Sequence, residues 1–456
     1  MNAEPNRRLA NLMAEAGASN KGLAKRVREV AQRRGAHVGT THVVVQRWLN
    51  GGGIQPQTVL FLADALSEKL HRRIAPTDLG FHLAPTGAPP AVDGYPESLP
   101  AALNALDDLT QQRPEDTPAG DLLLPEADVN SGVLSWLISR PDGLTVDTSN
   151  CRRVGMRDVS AVRTAAEMFM RLDFLYGGGH GHKALRHYFR HEVLPLLGAG
   201  YSARVGNALF GAATEISQLL AWTAYDTGNH ALADRYLLST LRLTQVVDDR
   251  MMGARILANM SHQANYLGRP SRAVQLARAA VEGGKERSTP RAKALFAAHE
   301  ARALSAARNH KGASLAMNEA ERFFARAEAG EDPAWLSYMD EAELAGEFCH
   351  CFRDLGQGAE AVRFAERAVA LTDPKYARTL GFCRMVLAQS QLLNGELEAA
   401  VTTAGLAVTG GDALQSARFQ RYVSDFQRDV SVHAENPVVQ HFNEQVRHAL
   451  QRLNDD

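Results

Sequence analysis

The sequence predicts an all-α protein with a small N-terminal helical domain and a C-terminal α-solenoid. Three observations predict this fold class for the 456 residues. Apolar residues recur at helical spacing through residues 6–82, a unit of about 40 residues repeats from residue 228 onward, and a proline-rich segment separates the two regions.

Residues 1–83 are predicted to form the first domain, built on successive amphipathic helices. The apolar positions of the first two helices lie three or four residues apart: Leu9, Leu12 and Met13 within Asn6 to Ala16, and Leu23, Val27 and Val30 within Lys21 to Arg34. Gly17 and Gly35 are expected to end these helices. Gln57 to Leu70 has the same spacing, and Ile74 to Phe81 is expected to close the domain.

The third helix of this domain carries the strongest functional signal. Thr41 is expected to cap a helix that points Val45 and Trp48 inward, and Gly51 is expected to end it. Helical geometry cannot bury Val43, Val44 and Val45 together on one narrow stripe. The outward face is therefore expected to present His42, Val43, Gln46 and Arg47 to a nucleic-acid groove.

The charge distribution agrees with this interpretation. Residues 1–83 hold 12 Lys and Arg against 6 Asp and Glu, which leaves 38 basic and 45 acidic side chains for the remaining residues. A basic domain on an acidic body is typical of nucleic-acid binding confined to one end. Ordinary surface variation would explain an excess of this size equally well without the helical motif.

Three motifs in residues 6–82 resemble the Cro/XRE-type helix-turn-helix family. They are Leu-Ala-Lys-Arg-Val in the second helix, Gln-Arg-Trp-Leu-Asn-Gly at the end of the third, and Pro-x-x-x-x-x-Leu-Ala-x-Ala-Leu in the fourth. The turn from Gln32 to Gly39 is longer than is typical of the family. The resemblance implies double-stranded DNA as the partner.

The resemblance also implies roles for individual residues. Thr41 would cap the helix facing a phosphate, His42 and Val43 would meet base edges, Val44 would meet a thymine methyl, and Arg47 would bind a guanine or a phosphate. Gln46 shares the outward face of the same helix. Lys21 and Lys25 on the preceding helix complete the set of expected DNA-binding residues.

Residues 84–130 are predicted to be an acidic linker, since they hold 8 of the 18 prolines. One short helix is expected to interrupt it at Ala101 to Gln112. The remaining residues, 131–456, are assigned to a helical repeat domain of about five to six helix pairs.

The repeat consists of a turn residue, a small residue five positions later, and small or apolar residues four and seven positions beyond that. The turn residues are Gly228, Gly268, Arg308, Gly356 and Gly395, with spacings of 40, 40, 48 and 39 residues. Each spacing accommodates two helices and a turn. Asp158 to Leu196, split by Gly177, is expected to be an irregular first pair, and Val438 to Leu453 a closing helix.

This pattern is similar to the tetratricopeptide repeat (TPR) family, whose units are shorter, at about 34 residues. An armadillo-like array or a plain helical bundle also suits the spacing. The first helix of each TPR-like unit would line a concave surface that binds a peptide or small-molecule effector. The residues expected there are Gln218, Trp222, Arg255, His262, Asn265, Arg302, His350 and Arg353, with Arg302 and Arg353 binding a carboxylate. Ordinary surface positions are the alternative.

The sequence shows no complete motif of a common enzyme or cofactor site. Gly177 to Gly179 lacks the Gly-Lys-Ser/Thr ending of a phosphate loop. His180, His182, His187 and His191 form a dense cluster, but no carboxylate or cysteine completes a metal-binding set. We therefore expect no cofactor, no metal and no enzymatic activity.

Location and assembly were also predicted. No apolar run approaches a membrane span and the first residues lack a secretory core, which favours the cytoplasm. The domain order resembles bacterial transcriptional regulators that join a Cro/XRE head to TPR-like repeats, which implies a homodimer formed through the repeats. The alternative is an adaptor that binds protein partners without reading DNA; a hydrolase-like body is a weaker one.

Overall fold

The computed structural model describes residues 6–33, 38–52, 54, 56–70, 72, 74, 79, 81, 94–111, 123–144, 153–328, 330–410 and 416–455. Within these residues the regular secondary structure is helical, apart from one isolated bridge between Arg153 and Gly200. The all-α prediction is confirmed. The chain divides into two compact units, residues 1–91 and residues 92–456.

The N-terminal unit contains four described helices, and each matches a predicted segment. They are α1 (Arg7–Glu15), α2 (Asn20–Arg33), α3 (His42–Leu49) and α4 (Pro56–Leu70). The predicted segments Gln32 to Gly39 and Ile74 to Phe81 lie largely outside the described residues, although Ile74 and Leu79 are buried.

The core of this unit is built from the predicted apolar faces. Leu9, Leu23 and Val27 are completely buried and pack with Val45 and Leu62 in one cluster. Asn6 joins both ends of the unit, since its side-chain oxygen caps α1 by accepting from Leu9 N at 3.0 Å while its amide nitrogen donates to Leu79 O at 2.9 Å.

The second unit begins with two helices that pack on the repeats. These are α5 (Leu99–Gln111) and α6 (Glu126–Ile138), and their buried residues belong to the core of the second unit. The short helix expected at Ala101 to Gln112 therefore exists, but it is not suspended in a linker. The Pro-Thr-Gly-Ala-Pro-Pro stretch of the expected linker lies outside the described residues.

Trp136 fixes α6 to the repeats. Its indole Nε1 donates to Thr244 Oγ1 at 3.0 Å, and Arg250 donates to its carbonyl oxygen at 2.7 Å. A Cβ built on Gly253 or on Gly283 would lie 2.2 Å from the indole ring. The two glycines thus form a slot for the Trp136 indole. Any side chain at either position would occupy the space of the ring.

An irregular helical pair follows, as predicted. It consists of α7 (Met156–Tyr176), α8 (Gly178–Tyr188), a π-helical turn (Phe189–Val193) and the short α9 (Leu194–Leu197). Gly177 has a φ of +84° between α7 and α8, which a side chain would strain.

Five helical hairpins form the rest of the repeat array. They are α10 (Ala203–Asp226) with α11 (His230–Val246), α12 (Arg250–Tyr266) with α13 (Pro270–Gly284), α14 (Pro290–Ala306) with α15 (His310–Phe324), α16 (Glu341–Asp354) with α17 (Gly358–Leu371), and α18 (Ala377–Leu393) with α19 (Leu397–Thr409). Consecutive hairpins pack on one another, which confirms an α-solenoid-like fold.

The turn residues of the predicted repeat have the backbone conformation that the pattern requires. Gly228, Gly268, Gly356 and Gly395 have φ between +71° and +87°, and Arg308 reaches +57°. This left-handed conformation ends a helix most cheaply at glycine. The small residues five positions later, from Ala233 to Ala400, are fully buried where paired helices meet.

The longest predicted spacing, 48 residues, contains the connection between α15 and α16. A short 3₁₀ turn at Ala334–Leu336 buries Trp335 beneath the guanidinium of Arg255, which lies 4.3 Å from the ring centroid. Arg291 pairs with Asp332 at 2.6 Å in the same connection.

Two helices close the unit, α20 (Ala417–Val430) and α21 (Pro437–Asp455). The second matches the predicted closing helix, whereas α20 was not predicted. Asp226 at the end of α10 accepts from Arg378 of α18 and, at 3.0 Å, from Ser416 before α20. The array therefore curls until its last helices meet its first hairpin. No described helix combines the length and hydropathy needed to cross a membrane.

Candidate nucleic-acid interface and effector groove

The outward face of α3 is exposed as predicted. His42, Gln46 and Arg47 are exposed, and 62% of the Val43 surface is accessible. Val44 is half-buried against the core of the unit. The face thus offers one imidazole, one amide, one guanidinium and one apolar side chain to a neighbour.

Buried and capping residues fix the orientation of α3. Val45 and Trp48 are buried, and the Trp48 ring meets Phe81 edge to face at 6.2 Å between centroids. Thr41 Oγ1 accepts from Val44 N at 3.4 Å, as the predicted cap requires. Gly51 ends the helix with a φ of +82°.

Gly52 is a positioning residue that the sequence analysis missed. A Cβ at this position would lie 2.5 Å from Cγ of Arg47 and 2.7 Å from its carbonyl oxygen. The chain after α3 therefore runs directly against the stem of Arg47. The Gly51-Gly52-Gly53 run was the signal that could have revealed this close approach.

Helix α2 contacts α3 through polar side chains. Asn20 donates to Gln46 Oε1 at 2.9 Å, and Gln46 Nε2 donates to Asn50 Oδ1 at 3.2 Å, so the Gln46 amide is engaged within the unit. Lys21 and Lys25 are exposed on the same helix, and Lys25 lies 3.7 Å from Glu29.

The second unit contains a groove of about 510 Å³ at the ends of several first helices of the hairpins. Helices α12, α14, α16 and α18 form one wall and α20 forms the other. Four residues from the predicted effector set line it: His262, Asn265, Arg302 and Arg353. Gln389, at the equivalent place on α18, lies beside them.

The other four members of the predicted set do not line this groove. Gln218, Arg255 and His350 are buried, and Trp222 packs against the guanidinium of Arg418, 5.1 Å from the ring centroid. The repeat register therefore assigned groove-lining residues correctly near the ends of the first helices, but not in their middle. His350 lies against Tyr422 of α20, with 6.1 Å between ring centroids, and Arg255 lies over the Trp335 ring of the connection between α15 and α16.

The two arginines expected to bind a carboxylate already have internal partners. Arg302 Nη1 donates to both oxygens of Glu347 at 3.1 Å. Arg353 donates through Nε and Nη2 to Asp354 at 2.9 and 2.7 Å, and through Nη1 to Gln389 at 2.6 Å. Although burial opposes its charged form, the Glu347 carboxylate raises the pKa of Arg302. Both guanidinium groups are thus engaged within the unit, and their binding of a ligand carboxylate stays a prediction.

Helix α20 supplies one wall of the groove. Arg421, Tyr422, Asp425, Arg428 and Asp429 all line it. The Arg421 guanidinium lies 4.5 Å from the Tyr266 ring centroid, and Arg428 pairs with Asp425 at 2.9 Å. Phe419, Val423, Phe426 and Val430, spaced four, three and four apart, were the signal that could have identified this helix.

A cluster of imidazole and aromatic rings lies behind the groove. Tyr225 and His262 Nδ1 are 3.0 Å apart, and the rings of His262 and His299 lie 5.8 Å apart. Burial lowers the pKa of both histidines, and nearby arginines lower that of His262 further. Both shifts favour the neutral form of the imidazole.

The histidines near residue 180 separate into different environments. His182 is buried, with Nδ1 2.8 Å from Thr223 Oγ1, whereas the rings of His187 and His191 lie 4.3 Å apart across the π-helical turn. Burial lowers the pKa of His182 to about 4. Within the part of the chain that the structure describes, no three metal-ligating side chains come together.

The comparisons with known proteins concern the N-terminal unit. A family model described as the SP15 N-terminal domain matches residues 9–82, a segment that contains α2, α3 and α4 with most of α1. A comparison with curated proteins finds no match for the chain. The chain is thus similar to that domain over its N-terminal unit.

Proposed function

We propose that the protein is a sequence-specific DNA-binding regulator of transcription that inserts α3 into the major groove. The outward face of α3 carries the proposal. It is a capped helix on a packed three-helix support, with His42, Val43 and Arg47 exposed on its outward side. An α-helix fits the major groove of B-DNA, where such side chains distinguish base pairs.

Four exposed residues have assigned functions in this proposal. Arg47 donates to a guanine or a phosphate, while Val43 meets a thymine methyl or another base edge, which accounts for its exposure. Lys21 and Lys25 bind phosphates, and the excess of basic residues in this domain attracts the duplex.

We further propose that the protein acts as a homodimer and that the repeat unit senses a ligand. The eight residues of α3 reach only a few base pairs, and paired heads on half-sites about one helical turn apart provide the missing selectivity. The groove beside α20 is the sensing site, since it is the place where predicted effector residues converge.

Selection from a random duplex pool with the purified full-length chain tests this function. The expected result is an enriched motif with two related half-sites and, by light scattering, a particle of twice the chain mass. If the selected duplexes share no enriched motif at any salt concentration, the protein does not recognise a specific DNA sequence. That outcome would favour binding of protein partners instead.

A further inference from the structure

We propose that the groove between α20 and the hairpin ends binds a small organic anion whose body has an apolar face. This inference rests on the proposed sensing function of the repeat unit and names the chemical class of its ligand. It follows from the charge, the apolar side chains and the unused hydrogen-bonding atoms of the groove.

The arginines of the groove outnumber the carboxylates that face them by one. Five arginines line it: Arg302, Arg308, Arg353, Arg421 and Arg428. Four have a carboxylate within 4 Å, namely Glu347 for Arg302, Asp354 for Arg353, and Asp425 for both Arg421 and Arg428, with Asp429 3.9 Å from Arg428. Three aspartates and one buried glutamate thus face five guanidinium groups.

Among these five arginines, Arg308 has no ion pair with a described residue. It occupies the turn between α14 and α15 at a φ of +57°, where the equivalent repeats have glycine. Its Nη1 would lie 3.8 Å from a Cβ on Gly356, the next turn residue. The exposed guanidinium therefore lies at the rim of the groove, where it can meet an anionic ligand.

One side of the same groove is apolar. Ala306, Leu392 and Leu393 line it, and 46% of the Leu393 surface is exposed. The rings of Tyr266 and Tyr422 border the charged side. An inorganic anion would leave these surfaces uncovered, whereas an organic body would cover them, and the volume of about 510 Å³ is in the range of small-molecule sites.

Asn265 adds a directional contact. Its Oδ1 is buried and has no hydrogen-bond partner among the described residues, although the side chain lines the groove. A buried acceptor without a donor is costly. A ligand with an N–H or O–H group would satisfy it.

Calorimetric titration of the full-length chain at about 0.15 M salt tests the proposal, because screening there suppresses diffuse attraction. The probes are two organic anions, 1-naphthylacetate and 1-naphthyl phosphate. The controls are the neutral 1-naphthylacetamide and inorganic phosphate, which is an anion without an apolar group. We expect saturable binding of a naphthyl anion, and binding of the amide and of inorganic phosphate weaker by about tenfold. Preference between the two naphthyl anions distinguishes a carboxylate from a phosphate ligand.

Two variants locate the binding. Arg308→Gln and Arg428→Gln should each weaken the naphthyl anion by about tenfold and leave the amide unchanged. Arg204→Gln, on an exposed arginine at the start of α10, is the matched control and should have no effect. The proposal is overturned if neither anion saturates, if the amide binds equally well, or if the three variants behave alike. DNA binding by the same samples is measured separately, so retained DNA binding would leave the proposed regulator standing.

Discussion

Asp226 is fully buried at the end of α10 and pairs with Arg378, which lies 152 residues further along the chain on α18. The same carboxylate oxygen accepts from Ser416 and lies 3.5 Å from Arg418, while the other accepts from Gly178 N at 3.1 Å. One side chain therefore joins α8, α10, α18 and α20. The wall of the groove formed by α20 depends on this junction.

Asp226→Asn should destabilise the repeat unit by about 3–5 kcal/mol, because it leaves two buried guanidinium groups without their carboxylate. Urea unfolding followed by circular dichroism measures the loss. Glu360→Gln removes a carboxylate from an exposed pair with Arg363 and serves as the control, with an expected loss under about 1 kcal/mol. Equal losses would show that the junction is dispensable.

Trp136 and Gly283 should show strong energetic coupling. Gly283→Ala places a methyl against the indole and should cost about 1–3 kcal/mol. In a Trp136→Ala background the same change meets no ring, so the better helix propensity of alanine should make it neutral or stabilising by about 0.5–1 kcal/mol. Unfolding of the two single variants and the double variant completes the cycle; additive effects would contradict the slot.

Replacing Gly268 or Gly346 by alanine should change stability in opposite directions, although an added Cβ would meet open space at both positions. Gly268 has a φ of +71° in a turn, so Gly268→Ala should destabilise by about 1 kcal/mol. Gly346 lies inside α16, and Gly346→Ala should stabilise by roughly 0.5–1 kcal/mol. Melting curves of both variants test this, and a shared sign would contradict the assigned backbone conformations.

His182 should make stability depend on pH in a defined window. Burial lowers its pKa from 6.5 to about 4, so the neutral imidazole contributes stability that is present above pH 6.5 and lost as pH falls toward 4. Lowering the pH from 7.5 to 5.5 should cost the wild type about 1.4 kcal/mol more than His182→Gln. Urea titrations at both values test this, and parallel losses would contradict it.

The sequence predicted the features that are encoded locally. The turn residues at Gly228, Gly268, Gly356 and Gly395 were identifiable because a left-handed turn favours glycine at a fixed place in each repeat. The cap at Thr41 and the inward position of Trp48 were identifiable for similar reasons. In all of these, the determining residues lie within one or two turns of each other.

The features that escaped prediction depend on residues distant in sequence. No local spacing indicates that Gly253 and Gly283 accommodate Trp136, or that Asp226 binds α18. For the same reason Gln218 and His350 were expected at a concave surface, whereas both are buried and His350 lies against Tyr422 of α20. Helix α20 is different, since its apolar spacing was visible but no turn glycine placed it in the repeat.

Binding of the full-length chain to its selected duplex, and to versions with single base changes, tests most directly whether α3 reads DNA. Arg47→Ala should weaken binding to the selected duplex by about 1–3 kcal/mol and relax the preference at one base pair. Lys25→Ala, which removes a proposed phosphate contact, should weaken binding about equally on every duplex. Sequence-independent losses of equal size for both variants would contradict base reading by α3.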